Sequence, residues 1–364
     1  MNAKKYFKDL KKLREFLDTE GNRMLFYHAD ADGVCSAALI ARYFDRFQTQ
    51  SRKGPRMDSK FVKYIIERRP DILVFLDMPV DVEHEELKRI LRKLPKMKLV
   101  IIDHHIYERD MNSKNVVHVN PMMHEDIYIP VSYLTYKMLE FMKFPVKPDI
   151  WISTIGIIGD YGVECKDVLD ETRKEFPELL GKDMFKSRLT EGAEIINAAA
   201  TMYGYKGIDQ VLESLLKART YDDFGETSKF KKWNVHVNKE IKKLLRAFKL
   251  EEKKTNSDTV QVHKDIGLIF YLMNTDLSLS SSISTLLTKD YHDYVILIMR
   301  KVAEEGGYKI SARCQSGRVD VAALMKKVTK GIGGGGGHAK AAGAFTSDLG
   351  IFKSRIIREM KSLL

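Results

Sequence analysis

The chain has 364 residues, 44% of them hydrophobic, which is enough for two cores, and no apolar run approaches the roughly 18 residues of a membrane span. Lys and Arg number 61 against 50 Asp and Glu, and the net charge of +11 favours a polyanionic partner such as nucleic acid. The three cysteines, Cys35, Cys165 and Cys314, are far apart and form no CxxC pair, which argues against a disulfide framework or a thiolate zinc site. With a charged N-terminal segment that lacks an apolar core, this fits a cytoplasmic protein without a membrane partner.

Residues 1–20 space Phe7, Leu10, Leu13 and Leu17 as one stripe among lysines, predicting an amphipathic helix. Strands at 23–28, 72–76 and 99–102 then alternate with helices at 34–47, 59–69 and 83–94. Unbroken apolar strands between helices predict a parallel sheet covered on both faces. Helices follow at 187–203, 207–219 and 226–254. After the polar break Thr255-Asn256-Ser257-Asp258, strands are expected at 266–272, 294–299, 308–313 and 341–345. Helices near 281–288 and 320–329, and a closing one from Ile351, complete that pattern. The fold class is therefore α/β: an N-terminal parallel-sheet domain at 1–165, a helical connector at 166–255, and a smaller C-terminal α/β domain at 256–364.

Chemistry-bearing residues stand at the strand ends. Tyr27-His28-Ala29-Asp30-Ala31-Asp32-Gly33 leaves the first strand with one imidazole and two carboxylates at alternate positions, which share a face as long as the chain stays extended. The next two strands run into Asp77 and into Asp103-His104-His105, and an apolar segment with small residues ends at Asp160. Singly, Asp77 reads equally well as a helix cap and His104 as a packed histidine. Three consecutive strand ends carrying Asp or His are harder to explain that way. Together His28, Asp30, Asp32, Asp77, Asp103, His104, His105 and Asp160 make a nitrogen and oxygen ligand set for two divalent ions. Without thiolates it suits manganese or magnesium, and the imidazoles favour manganese.

The pieces HADADG, LDMP, IDHH and GDYG resemble the four motifs of the DHH phosphoesterase superfamily, which includes RecJ-type exonucleases, short-oligonucleotide ribonucleases, cyclic-dinucleotide phosphodiesterases and manganese pyrophosphatases. The resemblance implies that His28 and Asp30 hold one metal and Asp32, His104 and Asp160 the other, with Asp77 bridging. It further implies that Asp103 orients the site from behind the ligands and that His105 faces the substrate phosphate. Bacterial RecJ proteins usually begin the first motif with Asp where this chain has His28; archaeal RecJ-like nucleases are more similar. The implied cofactors are two Mn2+, with Mg2+ as the alternative, acting on a phosphodiester by in-line displacement.

Near the C-terminus, five glycines at 333–337 followed by His338 join a helix to an apolar strand inside a domain, where bare amides can surround a phosphate. This stretch resembles the GGGH signature of the DHH-associated C-terminal domain, and Ser311-Ala312-Arg313 resembles its substrate-contacting arginine strand. The substrate residues so implied are Arg313, Gly335, Gly336, Gly337 and His338, with the active site in a cleft between the two domains. In the connector, Ile241, Leu244, Leu245 and Phe248 form an apolar stripe on a strongly basic helix. Lys239, Lys242, Lys243 and Arg246 there are either a solvated face or a wall tracking a phosphodiester backbone.

The expected function is a single-strand-specific exonuclease on DNA or RNA in replication or repair, with a lean to 3′ to 5′ digestion because the chain shows no extra nucleic-acid-binding module. A Hef-type helicase/nuclease or GINS is the implied protein partner, and an oligomer is compatible with the sequence. The alternatives are a short-oligonucleotide or cyclic-dinucleotide phosphoesterase and a non-catalytic replication scaffold. Loss of metal ligands would mark the scaffold, and all four motifs retain theirs.

Overall fold

The computed structural model describes residues 3–254 and 257–363, without the side chains of Glu304 and His338. Thr255 and Asn256 of the expected polar break lie outside the described residues. The chain divides into two compact units, Met1–Asn234 and Val235–Leu364.

The first unit begins with α1 (Leu10–Leu17), β1 (Arg23–His28), α2 (Ala31–Tyr43), β2 (Phe47–Arg52), α3 (Ser59–Arg68) and β3 (Ile72–Leu76). It continues through α4 (His84–Lys93), β4 (Lys98–Ile102), β5 (Val116–Val119), α5 (Val131–Phe141) and α6 (Ile150–Gly159). The five strands are parallel in the order β2-β1-β3-β4-β5. Alternate strand residues feed two cores. Met24, Phe26, Leu73, Phe75, Leu99 and Ile101 pack on Phe61, Val62 and Ile65 of α3 and on Leu87 and Ile90 of α4. Phe26 stacks on Phe75 at 5.5 Å and meets Phe61 edge-on at 4.9 Å. Each such ring contributes about 1.5–3 kcal/mol by leaving water. The intervening Leu25, Tyr27, Val74, Leu76, Val100 and Ile102 are equally buried, on the face where α2 and α5 lie on the sheet.

Two strands escaped the sequence reading. Phe47–Arg52 is a polar, half-exposed edge strand where a helix to 47 was expected, and Val116–Val119 is only four residues long. Neither has the long apolar run that marks a central strand.

The expected helical connector is divided between the units. Helices α7 (Lys166–Glu175), α8 (Arg188–Tyr203), α9 (Tyr205–Lys217) and α10 (Tyr221–Gly225) belong to the first. α8 lies against α6 so closely that a Cβ on Gly192 would stand 2.8 Å from Ile155 Cδ1, and α9 packs on α2. Their apolar faces thus extend an existing core and build none of their own. Helix α11 (Ser228–Glu251) starts in the first unit and ends in the second.

The second unit contains β6 (Val260–His263), β7 (Leu268–Met273), α12 (Ser280–Leu287), β8 (Val295–Val302), β9 (Gly307–Arg313), α13 (Val321–Val328), β10 (Gly333–His338), β11 (Ala341–Thr346) and α14 (Leu349–Lys361). Its sheet runs β10-β11-β9-β8-β7-β6, parallel only between β7 and β8. Leu324, Met325, Phe352 and Ile356 of α13 and α14 cover one face through Phe270, Leu297, Met299 and Ile310. On β7, the Tyr271 hydroxyl donates to Leu244 O of α11 at 2.9 Å while its ring meets Phe248 at 5.4 Å.

The glycine run corrects an expectation. It is a strand, β10, at the sheet edge, paired antiparallel with β11 from Gly333↔Thr346 to His338↔Ala341. At Gly335 the close approach of α13 leaves little room for a side chain, since a Cβ there would lie 3.0 Å from Met325 Cβ. Pairing commits alternate amides to the ladder, and the others face the sheet's open side.

Candidate metal centre

Because β1, β3 and β4 are parallel, their carboxyl ends lie at one edge of the sheet, and all eight predicted residues gather there or at helix ends beside it. His28 closes β1, Asp77 follows β3, and Asp103 to His105 follow β4. Asp30 is the N-cap of α2, accepting from Gly33 N at 3.0 Å, Asp32 is in its first turn, and Asp160 caps the C-terminus of α6. The extended backbone expected across His28, Asp30 and Asp32 therefore stops at Asp30, and helix geometry sets the direction of Asp32. A Cβ on Gly33 would lie 2.3 Å from His28 O, so only glycine permits that turn.

His28 Nδ1 stands 2.5 Å from Asp30 Oδ2 and 3.5 Å from Asp77 Oδ2. The second carboxylate oxygen of Asp77 is 3.2 Å from His104 Nε2, which is itself 3.6 Å from Asp160 Oδ2. His105 Nδ1 is 2.8 Å from Asp103 Oδ1 and 4.0 Å from Asp77 Oδ1. Three groups offer ligand atoms within 4.8 Å of one another: His28, Asp30 and Asp77; Asp32, His104 and Asp160; and Asp77, His104 and His105.

Backbone and hydrogen bonds fix these side chains. Asp77 adopts φ +58°, a left-handed conformation costing on the order of 1–3 kcal/mol for a residue other than glycine. The first amides of α5 hold Asp32 at both oxygens, Val131 N at 2.6 Å and Ser132 N at 2.8 Å. At the end of α6 the chain turns through Tyr161 at φ +56°, with Tyr161 N donating to Ile158 O and Gly162 N to Ile157 O. This is a Schellman-type ending with tyrosine where glycine is usual.

Burial and neighbouring charges act together on His28, Asp32, Asp77, His104 and Asp160. Burial would lower the His28 and His104 pKa values, but neighbouring carboxylates outweigh it: Asp30 and Asp77 hold His28 well above the usual value, and Asp77 and Asp160 push His104 up to about 10. Burial raises Asp32 well above the carboxylate range, with Asp77 and Asp160 adding repulsion, and pushes Asp160 up to about 6. Against burial, the neighbouring imidazoles of His104 and His28 keep Asp77 well below that range. Buried Asp77 Oδ2 has no hydrogen bond, and the imidazole nitrogen that faces it, His28 Nδ1, stands 3.5 Å away. A buried set of mixed carboxylates and imidazoles, otherwise held together by protons, fits divalent cations.

Three further residues serve the centre. Tyr128 donates its hydroxyl to Asp160 Oδ2 at 2.5 Å, and its ring lies 4.7 Å from that of His104. Asn120 Nδ2 donates to His105 O at 2.9 Å. Fully buried Asp81 accepts from Glu108 N and Arg109 N, holding the loop after His105. All three lie outside the strand-end motifs. The spacing of Asp81, four residues after Asp77, was the only available signal.

In the second unit, register puts Arg313 of β9, Ala341 of β11 and position 338 of β10 in one cross-strand row, hence on one face. The His338 side chain lies outside the described residues. Gly335, Gly336 and Gly337 are in the edge strand, the last at φ +140°. Lys239, Lys242, Lys243 and Arg246 are exposed on α11, where Phe230, Trp233, Val237, Leu244 and Phe248 form the buried stripe.

Known proteins agree with this architecture. The DHH family N-terminal domain matches residues 24–159 and the DHHA1 domain matches residues 267–363, and the chain belongs to the DHH superfamily. Its fold is RecJ-like. Exonuclease RecJ bound to manganese has a TM-score of 0.68 at 17% identity, over 99% of this chain and 94% of that one. RecJ in complex with Mn2+ from Thermus thermophilus has a TM-score of 0.72 at 16% identity, over 100% of this chain and 55% of that one, so this chain spans about half its length. CDC45 from Entamoeba histolytica has a TM-score of 0.53 at 9% identity, over 99% of each chain. No curated protein matches by sequence.

Proposed function

We propose that the protein is a two-metal phosphodiesterase, acting as a manganese-dependent exonuclease on single-stranded DNA or RNA. The observation that carries this reading is the position of Asp77, whose two oxygens face His28 on one side and His104 on the other. His28, Asp30 and Asp77 would hold one ion, and Asp32, His104 and Asp160 the other, with Asp77 shared. Bound divalent ions supply electrophilic polarisation of the phosphate and a water acidic enough to attack in line.

The chain's own residues do the rest. Asp103 orients His105 through Nδ1, and the imidazole donates a proton to the leaving oxygen. Tyr128 and the α5 amides keep Asp160 and Asp32 from turning away. Arg313 takes a second phosphate as a bidentate donor, helped by whichever amides of Gly335, Gly336 and Gly337 the ladder leaves facing outward and by His338. Lys239, Lys242, Lys243 and Arg246, in a chain of net charge +11, follow the backbone of a longer strand. A Hef-type helicase/nuclease or GINS is the protein partner to test by co-purification.

End-labelled single-stranded DNA and RNA, digested beside a dinucleotide and a cyclic dinucleotide, test the reading. Stepwise shortening with manganese, weaker with magnesium and abolished by EDTA, is expected, and the label reports polarity. Full activity in excess EDTA would falsify the metal assignment. Exclusive cleavage of the dinucleotides would replace the polymer substrate by a small one.

A further inference from the structure

Tyr161 follows the metal-cluster residue Asp160, and its ring is 63% exposed. That ring lies 5.5 Å from Phe185, itself 42% exposed, with the planes inclined at 37°. Phe185 belongs to the short turn Met184–Lys186, in a loop that also carries exposed Lys182 and Lys186. Two touching aromatic rings left in water beside a buried charged centre are not explained by packing. Nor does the backbone favour them: Tyr161 occupies the left-handed position of the α6 ending, where a bulky residue is strained and glycine would be relaxed. Tyr128, half-exposed and hydrogen-bonded to the same Asp160, adds a third ring beside this carboxylate.

We infer that Tyr161 and Phe185 form a stacking subsite for an unpaired nucleobase of the substrate, next to the scissile phosphate. The inference rests on the phosphodiesterase reading of the adjacent centre and deepens it. Aromatic faces hold any base without reading its sequence, and a base inside a duplex has no free face to offer. The subsite therefore selects unpaired strands, while nearby Lys182 and Lys186 suit the accompanying phosphates. Inorganic pyrophosphate, lacking a base, gains nothing from it.

The test compares short single strands of equal length, one with all bases and one with abasic residues at the terminal two positions. Unaltered protein, Tyr161→Gly and Phe185→Ala are measured on both. In each variant the ratio of kcat/KM for the base-bearing strand to that for the abasic strand should fall roughly 5- to 100-fold. Tyr161→Gly should not lower Tm, because the strained conformation goes with the ring. An unchanged ratio overturns the subsite, as does a lowered Tm with the ratio intact, which would make the ring pair a structural cap. If unaltered protein cleaves neither strand, the phosphodiesterase reading fails, and binding alone decides the subsite. A single strand carrying 2-aminopurine should then be quenched by unaltered protein and not by Tyr161→Gly; equal quenching, or none, overturns it.

Discussion

Tyr128 donates to the same oxygen of Asp160 that faces His104, so removing its hydroxyl lets the carboxylate turn. Tyr128→Phe should weaken manganese binding roughly 10- to 100-fold, the usual effect of losing a hydrogen bond behind a ligand; calorimetric titration showing unchanged affinity would reduce Tyr128 to packing. Asp77→Ala and His104→Ala should each remove nearly all turnover with the circular dichroism spectrum unchanged, since two ions sharing a ligand act as a unit. Near-normal turnover in either variant would sink the shared-ligand assignment. The residues of the cluster were legible because each stands within a few residues of a strand or helix end, where short-range pattern and chemistry coincide. Tyr128, Asn120 and Asp81 were not: Tyr128 reaches the centre from an irregular segment, Asn120 follows the four-residue strand that the pattern hid, and Asp81 sits in a single short turn, Val80–Glu83, that no periodicity encodes.

At the scale of elements, β10 is the test of why a strand should be built from glycine. A Cβ on Gly333 would lie 1.9 Å from Phe345 O, whereas one on Gly334 would meet nothing within 4 Å. Gly333→Ala should cost about 1–3 kcal/mol in chemical unfolding and Gly334→Ala much less. Equal costs would mean that backbone freedom, not contact, keeps the run. Five glycines in sequence suggest a loop, and only the pairing with Ala341–Thr346 shows otherwise. Central strands such as Ile72–Leu76 announce themselves by burial on both faces; edge strands such as Phe47–Arg52 do not. For α11, replacing Lys239, Lys242, Lys243 and Arg246 by Glu should reduce the slope of log affinity against log salt by roughly 0.7 per lost contact with a single strand. An unchanged slope leaves that face merely solvated.

Across the described residues of the molecule, the candidate metal ligands that cluster belong to the first unit, between His28 and Asp160. Manganese should therefore slow amide exchange at 28–33, 77–82 and 103–109 and raise the stability of that unit by about 2.7 kcal/mol at 100 times the dissociation constant. Mass spectrometry of exchanged peptides would show it; protection arising first in β6 to β9 would point to a different metal site. Among the described residues no helix is long and apolar enough to cross a membrane. That the chain forms two α/β units was visible in the sequence from its two separate alternating patterns, but the division after Asn234 was not. The helices of 166–234 pack on the first unit through small and apolar residues such as Gly192 and Ile196, which read identically in an independent bundle.

The hold of α5 on Asp32 has a consequence for the order in which the protein can mature. Asp32 is fixed by amides at Val131 and Ser132, about a hundred residues later in the chain, and α2, which carries it, packs on both α5 and α6. A nascent chain that has emerged only as far as His104 thus lacks the partners that orient its first ligands. At about 5–20 residues per second, roughly 3 to 11 s of synthesis separate His104 from Asp160. On the proposed assignment the site of Asp32, His104 and Asp160 cannot be complete before α5 and α6 have been made, so loading it becomes a checkpoint on completed translation of this unit.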